Sequence, residues 1–323
     1  MPSAIHLGRV LVTGGAGFIG SHLVDRLCEE QLPVTVIDNL TAGNIKNIAK
    51  WLNTSNFKFV FGDLLIADKI SKILKECETV FHMAANPEVR VSSTNPKVHY
   101  EQNIYATFNL LEAIRKADNV KTLVFASSSV VYGDAKEIPT PENYSPLEPI
   151  SVYGASKLAA EALITSYAYT YGFKTVIYRL ANIVGLRAQH GVICDFVKKL
   201  RENPEKLEIL GDGTQKKSYL HVEDCVNAFL TGVNQALGKV EIFNVGSEDQ
   251  ITVKEIADIV CRKMGLKNVE YMFTGGVEGG RGWKGDVKFM LLNVNKLKKC
   301  GWKPKYNSRQ AVERAADELL KGG

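Results

Sequence analysis

Tyr153 and Lys157 stand one helical turn apart in Tyr153-Gly154-Ala155-Ser156-Lys157, and together they could make a base. At i and i+4 the two side chains share a helix face. A free phenol, with a pKa of about 10, is a weak base at neutral pH. A neighbouring ammonium favours the phenolate and lowers that value, so the pair could remove a proton from a hydroxyl. A tyrosine and a lysine on a helix are more often an ordinary surface pair. What argues against that reading is Phe125-Ala126-Ser127-Ser128-Ser129-Val130-Val131-Tyr132-Gly133 upstream, at the end of a predicted strand. Ligands of open α/β sheets sit beyond the carboxyl ends of the strands, so a serine there could bond the same reacting oxygen.

A second constellation, Thr13-Gly14-Gly15-Ala16-Gly17-Phe18-Ile19-Gly20, follows one predicted strand and opens a helix. Glycines are needed where the turn is tight and the backbone must approach a pyrophosphate, and the helix N-terminus offers it free N–H groups. Asp38 ends the second predicted strand, where a carboxylate accepts from a ribose diol and repels a 2′-phosphate. Asn39 follows it, not arginine, which favours NAD over NADP. Asp63, after the third predicted strand, is placed to accept from an adenine amino group, with a turn role as its competitor.

These residues need a scaffold, and the first half of the chain supplies the pattern of one. Predicted strands at Arg9–Thr13, Pro33–Asp38, Lys58–Gly62, Thr79–Ala84, Thr122–Ser127 and Thr175–Leu180 alternate with helical spacing such as Ile19, Leu23, Leu27. That alternation predicts a parallel sheet covered on both faces: an α/β, Rossmann-type doubly wound fold. Beyond Asn182 the rhythm weakens, and a smaller C-terminal α/β unit with short helices is expected. The division is residues 1–180 for a nucleotide-binding domain and 181–323 for a substrate domain. Residues 219–247, a helix at Tyr219–Phe229 and a strand at Ile242–Gly246, return to the first. A later helix is marked by capping-box spacing at Thr252 and Glu255 and can end at Gly265.

The 323 residues are enough for two such units; 45% are hydrophobic and 23% charged, as in soluble globular proteins. A net charge of +5 is too mild to indicate nucleic acid. The late lysines, Lys296, Lys298, Lys299, Lys303 and Lys305, read as a solvated surface. The six cysteines are scattered without metal-ligand spacing, so no metal is expected and the thiols should be buried and reduced. No membrane span and no leader is evident, and a cytoplasmic protein is expected.

Taken in this order and spacing, the glycine fingerprint, strand-end serines and Tyr-x-x-x-Lys resemble the extended short-chain dehydrogenase/reductase family, and within it the UDP-glucose (UDP-galactose) 4-epimerases. The resemblance covers nearly the whole chain. It implies NAD held by Gly14, Gly17, Phe18, Ile19, Gly20, Asp38, Asn39, Asp63 and Leu64, with His82, Ala84 and Ala85 in the cofactor-lining segment and Asn103 beside the active site. Ser128 falls on the family's catalytic serine, Tyr153 on its base and Lys157 on the residue that binds the nicotinamide ribose and tunes the tyrosine. Asn182, Lys217, Arg281 and Asp286 would meet the UDP-sugar.

The implied reaction inverts the sugar C4 hydroxyl through a transient 4-keto sugar, with NAD retained. Homodimers through helices at 97–116 and 151–171 are also implied. The chain departs from the family pattern at Lys217, where relatives often carry arginine, at Trp283, at Asn86-Pro87, at Ala181 and near Met290. Ser129 and Val130 supply no carboxyl after the catalytic serine, which counts against a 4,6-dehydratase or decarboxylase. UDP-glucuronate and UDP-N-acetylhexosamines remain rival substrates, and a catalytically silent NAD(H)-binding regulator is the rival of another class.

Overall fold

The computed structural model describes residues 7–321, so the outermost residues of both expected domains, 1–6 and 322–323, lie outside it. β1 (Val10–Thr13) leads into α1 (Phe18–Glu29), followed by β2 (Val34–Asp38), a 3₁₀ stretch, β3 (Phe57–Phe61), α2 (Ala67–Leu74) and β4 (Thr79–His82). A single turn α3 (Lys97–His99), a π-helical stretch at Tyr100–Tyr105 and α4 (Ala106–Arg115) run on from one another. Then come β5 (Thr122–Ser128), α5 (Val152–Tyr171), β6 (Lys174–Leu180) and β7 (Asn182–Val184).

The later elements are α6 (Val192–Glu202), β8 (Lys206–Ile209), β9 (Lys216–Lys217), β10 (Tyr219–His221), α7 (Val222–Gln235) and β11 (Val240–Val245). They are followed by β12 (Ile251–Thr252), α8 (Val253–Lys263), β13 (Glu270–Phe273), β14 (Phe289–Met290), α9 (Asn295–Lys299) and α10 (Ser308–Lys321).

Seven parallel strands make the central sheet in the order β11-β6-β5-β4-β1-β2-β3. Alternation along each strand sends neighbours to opposite faces. In β1, Val10 and Val12 pack into one apolar cluster with Val36, Val124 and Phe229, while Leu11 joins Val80, Leu111 and Ile164 in the other. Both faces are therefore buried, which explains the near-continuous apolar runs of these strands. The architecture is a Rossmann-type doubly wound α/β fold. A third apolar cluster joins α6, α8 and α10 through Phe196, Leu200, Ile256, Val260, Val312 and Ala315.

Two expectations need correction. The C-terminal helices are not short: α6 and α8 have 11 residues each, α7 and α10 have 14. Residues 219–221 are not helical but pair with β7 as β10. His221 then caps α7 by accepting from the Glu223 N–H at 3.3 Å. The capping box of α8 forms, with Thr252 Oγ1 accepting from Glu255 N at 3.1 Å, and Gly265 follows its last turn at φ +72°. All six cysteines are free, four of them buried.

Candidate active site

The turn from β1 to α1 shows why its glycines are glycines. Gly14 has φ +68°, and a Cβ there would lie 2.7 Å from backbone atoms of Ala84; one on Gly20 would lie 2.2 Å from the Gly14 carbonyl. α1 starts at Phe18 with no side-chain cap and no acidic residue in its first turn, which leaves its first N–H groups for an external anion. A cavity opens over this turn, lined by Gly14, Gly17, Phe18, Ile19, Gly20, Asp38, Asn39, Asp63, Leu64, Ala84 and Ala85.

Asp38 accepts from Ala16 N at 2.9 Å and from Leu40 N at 2.8 Å, one bond per oxygen. Burial pushes its carboxyl pKa up, and those two donors work against the rise. Carboxylate oxygens keep further lone pairs for a diol. Asp63 is held in the same way, accepting from Asn39 Nδ2 at 2.8 Å and from Leu65 N at 2.8 Å. The cleared backbone cradle, the open helix start and the carboxylate together fit a dinucleotide.

Two residues expected beside the cofactor stand behind the cavity wall instead. Thr107 Oγ1 donates to the Asn103 carbonyl at 2.6 Å, so it accepts at its 2.9 Å contact with His82 Nε2. This network assigns the neutral Nε2–H tautomer, with Nδ1 accepting from Thr13 Oγ1 at 2.8 Å. Thr13 Oγ1 in turn accepts from the Ala84 N–H at 3.3 Å. Burial, helped by the Lys157 charge, pushes the imidazole pKa down to about 3, so His82 stays neutral and sets the wall at Ala84. Asn103, buried, donates to Ser156 Oγ at 2.9 Å and accepts from Asn86 N at 2.8 Å. Its place lies in the π-helical stretch, whose neighbours Gln102 and Ala106 do line the cavity. Asn103 therefore ties α5 to the Asn86 loop and is not itself in the cavity lining.

A second cleft, towards the C-terminal half, is lined by Ser128, Leu180, Ala181, Asn182, Gln215, Lys217, Trp283, Asp286 and Met290 among others. Lys157 lines the first cavity, Ser128 lines the second, and Tyr153 lines both. Ser151 positions them by capping α5, accepting from Gly154 N at 3.0 Å, which puts Tyr153 in the first turn and Lys157 one turn on. Lys157 Nζ donates to the Ala126 carbonyl at 2.9 Å and lies 4.8 Å from the Phe125 ring centre and 5.9 Å from that of Tyr153.

Burial lowers the Lys157 pKa to about 8, with Glu161 opposing. Burial also raises that of Tyr153 to about 12, with a hydrogen bond from Ser128 opposing. The sequence argument that lysine lowers the tyrosine pKa thus needs amending. In the protein alone desolvation wins, and Lys157 is not among the causes of the Tyr153 shift.

The substrate-side residues divide. Lys217 Nζ and Asp286 Oδ1 are paired at 2.6 Å in the cleft, and Asn182 Nδ2 donates to the Ser218 carbonyl at 3.1 Å. Arg281 is not among the cleft-lining residues: its guanidinium forks onto Asp134 at 3.0 and 2.8 Å and donates to the Asp286 carbonyl at 2.6 Å. That partner stands 147 positions away in the sequence. Trp283, two residues on, faces the cleft instead. Arg90 and Gln215 also line this cleft, and no local pattern in the sequence marks either one.

With this geometry in hand, the chain belongs to the NAD dependent epimerase/dehydratase family, which residues 10–246 match. It is a member of the extended short-chain dehydrogenase/reductases and uses NAD. A crystal structure of a UDP-galactose 4-epimerase is similar to it at 44% identity and a TM-score of 0.86, covering 97% of this chain and 99% of that one. A Methanocaldococcus jannaschii protein assigned as a UDP-glucose 4-epimerase is 37% identical, over 95% of this chain and 97% of its own. The UDP-glucuronic acid 4-epimerase of Bacillus cereus, solved with UDP-glucuronic acid and NAD, is 28% identical with a TM-score of 0.88, covering 98% of this chain and all of the other.

Proposed function

We propose that this protein is an NAD-dependent UDP-glucose/UDP-galactose 4-epimerase, in which residues 1–180, with 219–247, hold NAD and 181–323 hold the UDP-sugar. The observation that carries the reading is the place of Tyr153 at the junction of the two cavities, with Ser128 on the sugar side and Lys157 on the cofactor side. Bound in the first cavity, NAD would supply a reversible acceptor for the C4 hydride, and its oxidised ring would bring a positive charge that favours a phenolate.

The protein's own part is proton handling and orientation. Tyr153 Oη takes the C4 hydroxyl proton, with Ser128 Oγ bonding the same oxygen, and gives the proton back to that oxygen once the ring has turned its other face to the cofactor. Lys157, fastened to Ala126, holds its ammonium under this site. The walls beside Ser128 include Leu180, Ala181 and Met290, apolar side chains that make no hydrogen bonds to hold the sugar in one orientation. UDP, gripped further along the cleft near Lys217 and Asn182, provides remote binding energy while the ring reorients. Ser129 follows Ser128 where a dehydratase would need a carboxyl.

The test is conversion of UDP-galactose to UDP-glucose by the purified protein with no NAD added, followed by chromatography. Conversion supports the reading, including retention of the cofactor. No conversion even with added NAD removes this substrate, and UDP-glucuronate and the N-acetylated UDP-sugars are tried next.

Homodimerisation belongs to the same reading. Exposed aromatic residues, Tyr100, Tyr105, Phe108, Tyr169 and Tyr171, stand on the π-stretch, α4 and α5. Light scattering is expected to give twice the 35.6 kDa chain mass, and Phe108→Glu to shift it towards one chain. A wild-type monomer at all concentrations would refute the dimer.

A further inference from the structure

The segment 185–191, between β7 and α6, runs beside both cavities: Arg187, Gln189 and His190 line the dinucleotide cavity, and Gly185, Ala188 and Gly191 line the cleft. Its front half is fastened from two sides. The Leu186 N–H donates to Glu318 Oε2 at 2.9 Å, and its carbonyl meets His22 Nε2 at 2.9 Å. Arg187 donates from Nη1 to Ser21 Oγ at 3.1 Å and from Nη2 to Asp25 Oδ2 at 2.8 Å. Its backbone sits at φ +69°, a region that a residue with a long side chain seldom occupies unless its surroundings hold it there.

Asp25 also receives Lys50 Nζ at 3.2 Å and the Trp51 indole N–H at 2.7 Å, and Lys50 is shared with Glu29 Oε1 at 3.5 Å, so Arg187 does not hold Asp25 to itself. A guanidinium has five N–H donors; Ser21 and Asp25 take two, and the side chain is four-fifths buried against the cavity. Ser21 and Asp25 both belong to α1, the helix whose open start faces the expected diphosphate. That start offers only uncharged donors. Among the described residues lining the cavity, Lys157 and Arg187 are the lysine and arginine side chains against the carboxylates Asp38 and Asp63, and Lys157 is committed to Ala126 beside Tyr153.

We propose that Arg187 is a cofactor-binding residue: reaching in from the strap 185–191, its guanidinium bonds the dinucleotide diphosphate across from the α1 N-terminus and keeps the cofactor in place. The inference rests on the NAD reading of this cavity and adds a charged ligand to it. A device of this kind suits an enzyme that re-uses one cofactor molecule in every cycle.

The experiment measures NADH affinity by fluorescence at rising NaCl, and NAD content after purification, for wild type, Arg187→Ala, Arg187→Gln and Arg187→Lys. Melting temperatures of the cofactor-free proteins report folding. Arg187→Ala and Arg187→Gln are expected to bind roughly 10- to 100-fold more weakly, the loss of charge-assisted bonds, and with a shallower salt dependence. Arg187→Lys should fall between, having the charge without the fork. If Arg187→Ala fails to fold, the Gln and Lys variants decide. Folded neutral variants that bind NADH as tightly as wild type, with the same salt dependence, would overturn the proposal. A wild-type protein that binds no NADH would overturn the NAD reading beneath it.

Discussion

A Tyr153→Phe protein is expected to turn over UDP-galactose on the order of a thousand-fold more slowly than wild type, yet to purify with the same NAD content. The size follows from loss of a positioned acid/base, worth roughly 10²–10⁴ in rate. Phenylalanine keeps the buried ring that packs edge-on against His99, with centroids 5.6 Å apart, so the fold should be undisturbed. Lys157→Met should be comparably slow and should also lose NAD, because Lys157 lines the cofactor cavity.

The pKa directions add a second reading of the same pair. Tyr153 is held at about 12 and Lys157 at about 8 in the protein alone. The tyrosine is therefore a neutral phenol throughout the physiological range, and the lysine begins to lose its charge as pH passes about 8. Spectrophotometric titration of cofactor-stripped protein should show no tyrosinate from Tyr153 below about pH 11, read as the difference between wild type and Tyr153→Phe. A wild-type rate in Tyr153→Phe would remove the proton-transfer role from Tyr153, whereas a wild-type protein that binds NAD but turns over no UDP-sugar would leave the NAD-binding regulator as the better reading.

Much of this site was legible because its signals are local. The glycine turn, the strand-end serines and a tyrosine one helical turn before a lysine are fixed by spacing alone. The strand positions came within one or two residues because near-continuous apolar runs mark them, the first three ending at Gly14, Asp38 and Gly62. What was not legible depends on distant partners. Arg281 is paired with Asp134, and nothing near either residue announces that pair. Asn103 and His82 stand where the resemblance put them in the chain. Their bonding through Thr13, Thr107 and Ser156 makes them wall supports, and that network spans five elements. The π-helical stretch adds a residue to a turn without changing composition, so periodicity could not mark it. Arg187 carried no motif; only the fold brings it to α1.

Glu161 is where stability and catalysis should separate. Its carboxylate is paired with Arg179 Nη2 at 2.7 Å and also accepts from Arg179 Nε and from Ser127 Oγ; both charged side chains are about 95% buried. Burial works against the Arg179 charge, but Glu161 outweighs it and raises the guanidinium pKa. Arg179 goes on to the Tyr132 hydroxyl at 3.0 Å and the Glu142 carbonyl at 3.1 Å, and Tyr132 to Asn244 at 2.8 Å.

Glu161→Ala leaves that guanidinium buried without its counter-charge, and unfolding in urea should show a loss of about 3–5 kcal/mol. The double variant Glu161→Met, Arg179→Met removes both charges and should recover most of that loss, because buried pairs gain little over well-packed apolar side chains. Turnover should not recover with it. The network grips Ser127 and Tyr132 on either side of Ser128, and without it the serine is no longer held against Tyr153, so kcat should fall while NAD content stays unchanged. A double variant that regained both stability and full turnover would reduce the pair to a structural tie, and the orientation of Ser128 would then have to come from its own bond to Val130 N, at 3.4 Å a long one.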